Sequence, residues 1–203
     1  AGEYVRLVHF RSADWGVSHT SSNLNTFNDD LFPACAYSHE NGTDSVYIAV
    51  ERVISVTEHE IRLIATPETP ASAISVRYIT DAAPGIVYKR PAITIQQRHF
   101  SLPQQILVTS TKNDRAVYHY SVDGGALWNV DATLGTNTQA VDYTSCNSDS
   151  LTAGGSYFIA ALVDLNGDSV MVRRGVLGSM GLPQYKKNTN TSTGVLAPTC
   201  AIY

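Results

Sequence analysis

The chain has 203 residues, 43% of them hydrophobic and 16% charged, with a formal net charge of −4. That length fits one domain or two small ones, and the low charge excludes a disordered acidic or basic tail protein. No basic run exceeds a pair such as Arg173-Arg174, so the concentrated basic face that nucleic acid requires is missing.

No apolar run reaches the roughly 18 residues of a membrane-spanning helix. Residues 1–20 lack the charged start and apolar stretch of a signal peptide, and the opening Ala1-Gly2-Glu3-Tyr4 without Met fits Met removal, signal cleavage or a piece of a larger protein. Cys35, Cys146 and Cys200 form an odd set without a CxxC or CxxH pair, so no closed zinc site is expected.

Period-2 apolar alternation dominates, and no long stretch carries helical periodicity. In chain order the clearest strands are Val5–Phe10, Ser45–Val50, Ile61–Ala65, Ile74–Ile79, Ala92–Ile95, Gln105–Thr109, Ala116–Tyr120, Ala140–Tyr143, Tyr157–Val163 and Ser169–Arg173. Between them lie turn-rich stretches: Glu40–Asp44, Thr111–Asp114, Asp123–Gly125, Asn166-Gly167 and Asn188–Gly194. Asn166-Gly167 is the strongest hairpin signal, because both residues accept positive φ in a type I′ turn. The chain reads as all-β.

The strands repeat. The turns after VRLVHFRS, IRLIATP, VYHYS and VMVRRG begin at Ser12, Pro67, Ser121 and Gly175, in steps of 55, 54 and 54 residues. A second strand family, from Pro33, Arg90, Thr138 and Pro198, keeps roughly the same beat. Each repeat reads as an inner strand, two strands joined by a tight hairpin, and a weaker outer strand. Four antiparallel strands at a constant period predict a β-propeller of four-stranded blades, with two small β-sandwiches as the alternative. A single propeller domain over 1–203 is expected, with repeats near 1–30, 31–85, 86–137 and 138–194. Residues 195–203 would be the inner strand of a next or closing blade. The first repeat starts at its third strand, so an incomplete ring is expected, completed by self-association or by the rest of a longer polypeptide. The shared phase of the cysteines predicts three buried thiols near inner strands without disulfides.

Ser121-Val-Asp123-Gly-Gly125-Ala-Leu-Trp128 fits S-x-D-x-G-x-x-W throughout, and Ser12-Ala-Asp14-Trp-Gly16-Val-Ser-His19 fits except for His19. This segment resembles the Asp-box of sialidases and related BNR-repeat propellers. The resemblance implies fold-stabilising hairpins built by Ser12, Asp14, Gly16, Ser121, Asp123, Gly125 and Trp128, on the face away from the active site. It further implies that Asp14 and Asp123 are structural rather than catalytic. Sialidase-type catalysis uses an arginine triad, a Tyr nucleophile paired with a Glu, and an Asp acid/base; the family's opening Arg motif is absent here, and the scattered arginines fall in no recognisable catalytic context.

For ordinary glycoside hydrolysis, two carboxyl groups must flank the substrate at about 5–10 Å. The available acids are Asp29-Asp30, Glu58-His59-Glu60, Asp114, Asp164 and Asp168, all in polar stretches where solvated carboxylates are the ordinary expectation. Asp164-x-Asn166-x-Asp168 lacks the glycine position and final Glu of a calcium loop. The six histidines show no zinc-motif spacing. Neither cofactor nor metal is expected.

If Asp-box turns mark one face of a propeller, the opposite face carries Asn23–Asp30, Val53–His59, Asp81–Arg90, Thr111–Asp114 and Asp164–Asp168. Asp30, Lys112, Asp114 and Asp164 are the expected ligand-binding residues there, beside Asn23, Asn25, Phe27 and Tyr88, for stacking and hydrogen bonding to sugar. The expected function is a non-enzymatic recognition or assembly module binding a glycan or protein, extracellular or on a virion. The alternatives are a fragment of a sialidase-type glycoside hydrolase and a structural component of a phage tail or similar assembly.

Overall fold

A computed structural model describes residues 8–11, 14, 16–23, 30–40, 43–67, 75–96, 104–129, 132–134, 141–148, 157–163, 169–180 and 184–187. Every regular element among them is a β-strand, and all strand pairs are antiparallel. No described helix is long and apolar enough to cross a membrane.

The strands fall into four sheets laid down in chain order. Val8–Arg11 (β1) and Thr20–Asn23 (β2) form a two-stranded first sheet. The second is a meander of Asp30–Glu40 (β3), Thr43–Ser55 (β4), Glu58–Pro67 (β5) and Ser75–Tyr78 (β6). The third repeats that order with Tyr88–Gln96 (β7), Gln105–Lys112 (β8), Arg115–Ser121 (β9) and Ala132–Thr133 (β10). The fourth contains Val141–Ser148 (β11), Tyr157–Val163 (β12) and Ser169–Val176 (β13), with Ser179–Met180 (β14) and Gln184–Lys187 (β15) both paired to β13.

Local chemistry accounts for the hairpins. Lys112 pairs with Arg115 across the two-residue turn Asn113-Asp114, whose φ values of 47° and 60° make it the mirror-image turn that matches strand twist. Val163 pairs with Ser169, so β12 and β13 form a hairpin; the turn residues Asn166-Gly167 lie outside the described residues. Strand β8 is buried along nearly its whole length, which explains its unbroken Ile106-Leu107-Val108 run: a central strand covered on both faces has no polar side to alternate.

The second, third and fourth sheets pack face against face, each later one through its first strand. β7 lies against β3, β4 and β5, and β11 against β7, β8 and β9. Between the second and third sheets sits a core of Ala49, Ile61, Leu63, Ile79, Tyr88, Ile93, Ile95, Ile106, Val108 and Val117. A smaller core between the third and fourth holds Leu107, Ala116, Tyr118, Leu134 and Val141. Ile61, Leu63 and Ile106 have no exposed surface, and each such side chain contributes about 1.5–3 kcal/mol of burial.

The first strands of the second and third sheets carry the same irregularity. β3 is bulged between Leu31 and Ala34, and β7 between Lys89 and Ala92. In each bulge a residue before proline takes the left-handed conformation, Phe32 at φ 49° and Arg90 at φ 51°. That region costs an ordinary residue about 1–2 kcal/mol, so both bulges need support from their surroundings.

The thiol expectation needs correction. Cys35 and Cys146 are free, but Cys35 is exposed and Cys146 only half-buried; Cys200 lies outside the described residues. Cys146 packs against the third sheet, with Sγ 3.9 Å from the Leu107 carbonyl oxygen. Cys35 alternates with Ala34 and Ala36, which face the third sheet, so the pleat turns it to the opposite side. Desolvation still raises the Cys35 thiol pKa above its ordinary value.

Candidate functional site

The end of the sheets that carries the β4–β5 and β8–β9 turns is tied together by the segment leading into β7. Gly85 N–H donates to the Thr57 carbonyl at 3.1 Å, and His59 N–H to the Ile86 carbonyl at 3.0 Å. On its other side, Asn113 N–H donates to the Val87 carbonyl at 3.0 Å, while Val87 N–H donates to Asn113 Oδ1 at 2.9 Å. Asn113 Nδ2 adds a bond to the Gly85 carbonyl at 3.1 Å. Val141 N–H then reaches the Asp114 carbonyl at 2.8 Å, extending the chain of contacts to the fourth sheet.

This lacing puts charged side chains of two sheets at one end. Asp30, Arg52 and Glu60 occupy one cross-strand row of β3, β4 and β5. Arg62 donates through Nη2 to Asp30 Oδ1, and Arg52 Nη1 donates to Glu60 Oε1 at 2.9 Å. On the adjoining row, Glu51 accepts from His59 Nδ1 through Oε1 at 2.8 Å and from Arg90 N–H through Oε2 at 3.0 Å. Asp30, Glu51 and Glu60 are 1%, 2% and 3% exposed. The Asp30 Oδ2 and Arg62 Nε atoms are buried with no hydrogen-bond partner among the described residues. Around this cluster the Arg90 guanidinium lies over the Phe32 ring at 5.6 Å, and the Lys112 ammonium over the Tyr88 ring at 5.3 Å. Lys89 Nζ is 3.9 Å from Asp114 Oδ1, both well exposed.

Of the expected ligand residues, Asp30, Lys112 and Asp114 stand at this end, at the head of β3 and at the β8–β9 turn. Asp164 lies outside the described residues, as do Asp29, Asp168, Asn25 and Phe27, and the side chain of Asn23 is likewise not described. The expectation of solvated carboxylates is corrected at two positions. Asp30 and Glu60 are strand residues enclosed with arginine partners, because long-range register, not local polarity, sets their environment. Glu51, Arg62, Phe32 and Arg90 were not singled out from the sequence. Glu51-Arg52 breaking the apolar run of β4 was the available signal.

The opposite end of the third sheet carries the serine–aspartate turn that follows β9. After β9, Ser121 Oγ–H donates to Asp123 Oδ1 at 2.7 Å, and Gly125 N–H donates to Ser121 Oγ at 2.7 Å. Asp123 Oδ1 also accepts Ala126 N–H and Leu127 N–H at 3.0 and 2.9 Å. Leu127 N–H first, then the Ser121 hydroxyl, holds the Asp123 carboxyl below its ordinary pKa. Gly124 and Gly125 take φ of 71° and 88°, and Trp128 packs against the core beneath. Between β1 and β2, Ser18 donates to Asp14 from N–H and Oγ–H at 2.8 and 2.6 Å, and Gly16 has φ 89°. Ser12 lies outside the described residues. Both aspartates are engaged with donors of their own turns.

Among the described residues no group of three His, Cys, Asp or Glu is placed to hold a metal ion. No known family description and no curated protein matches the chain. Among solved structures, a GH62 hydrolase in complex with xylotriose is similar at a TM-score of 0.47 and 10% sequence identity, covering 78% of this chain and 51% of that one. The chain thus spans about half the length of that hydrolase.

Proposed function

We infer that this chain is a non-enzymatic recognition module of β-propeller type, with a glycan bound at the end of the sheets that carries Asp30, Lys112 and Asp114. The observation that carries the reading is the lacing of the β4–β5 turn, residues 85–87 and the β8–β9 turn into one continuous end of two sheets. Such an end presents residues of several sheets to one ligand, and the face-to-face stacking of successive antiparallel sheets supports the propeller. The Ser121–Trp128 turn at the far end is what an Asp-box would supply.

Enzymatic use is disfavoured by the partners of the carboxylates. A general acid or base must reach the glycosidic oxygen or a water. Asp30, Glu51 and Glu60 are enclosed and engaged with Arg62, His59 and Arg52. Secretion or display on a particle surface, with the remaining propeller supplied by a longer polypeptide or further copies, fits this role. The test is a glycan array on the whole chain, with fluorogenic sialosides and xylosides run in parallel. Array binding without turnover is the expected result; turnover abolished by Asp30→Asn would replace this reading with a hydrolase.

A further inference from the structure

We propose that Lys112 and Arg115, with Arg90 beside them, hold the anionic group of a ligand: a carboxylate, sulfate or phosphate ester. The proposal goes beyond the glycan reading, because that group need not be carried on a sugar. It comes from a difference between two sheets of the same plan. Two residues ahead of each left-handed bulge residue, Phe32 or Arg90, a cross-strand row runs over three strands. In the second sheet the row is Asp30, Arg52 and Glu60; in the third it is Tyr88, Lys112 and Arg115. The second-sheet row supplies its own counter-charges, since Arg52 donates to Glu60 and Arg62 to Asp30. The third-sheet row has no acid, because Tyr88 stands in the place of Asp30 and Arg115 in that of Glu60. Two cations therefore face each other across the Asn113-Asp114 turn, and directly opposite like charges cost a sheet stability. An oxyanion between them replaces that repulsion with charge-assisted hydrogen bonds, the planar Arg115 fork on one side and the Lys112 ammonium on the other.

The row is also open to a ligand. Arg115 is exposed and Lys112 half-buried, above a Tyr88 that belongs to the core between the second and third sheets. Directly opposite residues share a face, so both cations lie on the side toward the second sheet. Arg90 joins them there, with its N–H held by Glu51 and its guanidinium 5.6 Å over the Phe32 ring of β3. A ring face neutralises no charge, so Arg90 and Lys112 keep theirs although Lys112 lies 5.3 Å over Tyr88. Lys89 alternates with Tyr88 onto the opposite face, where it stands 3.9 Å from Asp114. Glu58 likewise alternates with His59 onto the far face of β5. That leaves Arg90, Lys112 and Arg115 against Glu51, an excess of positive charge beside an aromatic wall.

Calorimetric titration of the whole chain tests this with trigalacturonate, citrate and inorganic sulfate as anionic probes and maltotriose as the neutral one. At least one anionic probe is expected to bind tenfold or more tighter than maltotriose, and to weaken as NaCl rises from about 20 to about 200 mM. Trigalacturonate ahead of citrate and sulfate supports an anion carried on a sugar; citrate or sulfate ahead supports one that is not. Arg115→Gln and Lys112→Gln should each weaken binding at least tenfold, with thermal melts showing that the variants fold; Arg115, being exposed, is the safer of the two. Lys89→Gln removes an equal charge from the opposite face and should change affinity less than twofold. Maltotriose binding as tightly as every anionic probe, or a loss in Lys89→Gln as large as in Arg115→Gln, overturns the site. Neither result decides the glycan reading, which stands or falls on array binding.

Discussion

Glu51 Oε1 lies 2.8 Å from His59 Nδ1, while Oε2 of the same carboxylate accepts the Arg90 N–H at 3.0 Å. One buried side chain thereby joins the end of β4, the start of β5 and the bulge of β7. It supports a left-handed residue that the local sequence disfavours.

Replacing Glu51 should therefore damage the join between sheets. Glu51→Ala is expected to cost about 2 kcal/mol or more, since it orphans two donors in an enclosed site. Glu51→Gln keeps an acceptor for Arg90 and should cost less. Urea unfolding of both variants checks the order, and an Ala variant as stable as the parent would contradict the arrangement.

Asp30 and Asp114, at the same end of the sheets, should differ sharply in what their removal costs. Asp30→Ala leaves the Arg62 guanidinium buried without its counter-charge, at about 3–5 kcal/mol. The Asp114 carboxylate is 70% exposed and 3.9 Å from Lys89, so Asp114→Ala should cost under about 1 kcal/mol. Thermal melts of the pair are sufficient; equal losses would mean that Asp30 is not enclosed as described.

Adjacent glycines in the turn after β9 give a second contrast. Both have positive φ, but a methyl on Gly124 meets nothing within 4 Å, whereas one on Gly125 meets Arg77 Nη1 at 3.3 Å and Leu63 Cδ2 at 3.4 Å. Arg77 cannot withdraw freely, because Nη1 donates to the Gly124 carbonyl at 3.0 Å. Gly124→Ala should cost about 1 kcal/mol and Gly125→Ala about twice that or more. Chemical denaturation of each single variant measures the gap.

Asp123 should make this turn acid-sensitive. Its pKa is depressed in the folded chain, chiefly by Leu127 N–H and the Ser121 hydroxyl. Its contribution is then complete above the ordinary carboxylate pKa and is lost as pH falls through the lower folded value. Asp123→Asn should lower the melting temperature at pH 7, and the difference from the parent should shrink below about pH 4. A difference constant from pH 3 to 7 would exclude the carboxylate as the cause.

The sequence alone determined the local architecture. Alternation along Ile61–Ala65 and Ala116–Tyr120 marked strands because side chains on a pleated strand alternate between faces. Ser121–Gly125 marked a turn because its hydrogen bonds span at most four residues. Both signals lie within the range over which neighbouring residues dictate backbone shape.

The site was decided by tertiary structure. Arg62 reaches Asp30 across 32 residues of chain, and Arg90 reaches Glu51 across 39. Asp30 reads as a solvated loop acid until the register of β3 on β4 and β5 places it beside arginines. The bulges at Phe32 and Arg90 depend equally on distant support, since a residue before proline does not choose the left-handed region by itself. Whether a charge is enclosed or wet, and whether a ring is turned in or out, follows from which sheet packs over it, and that information is spread across residues far apart in the chain.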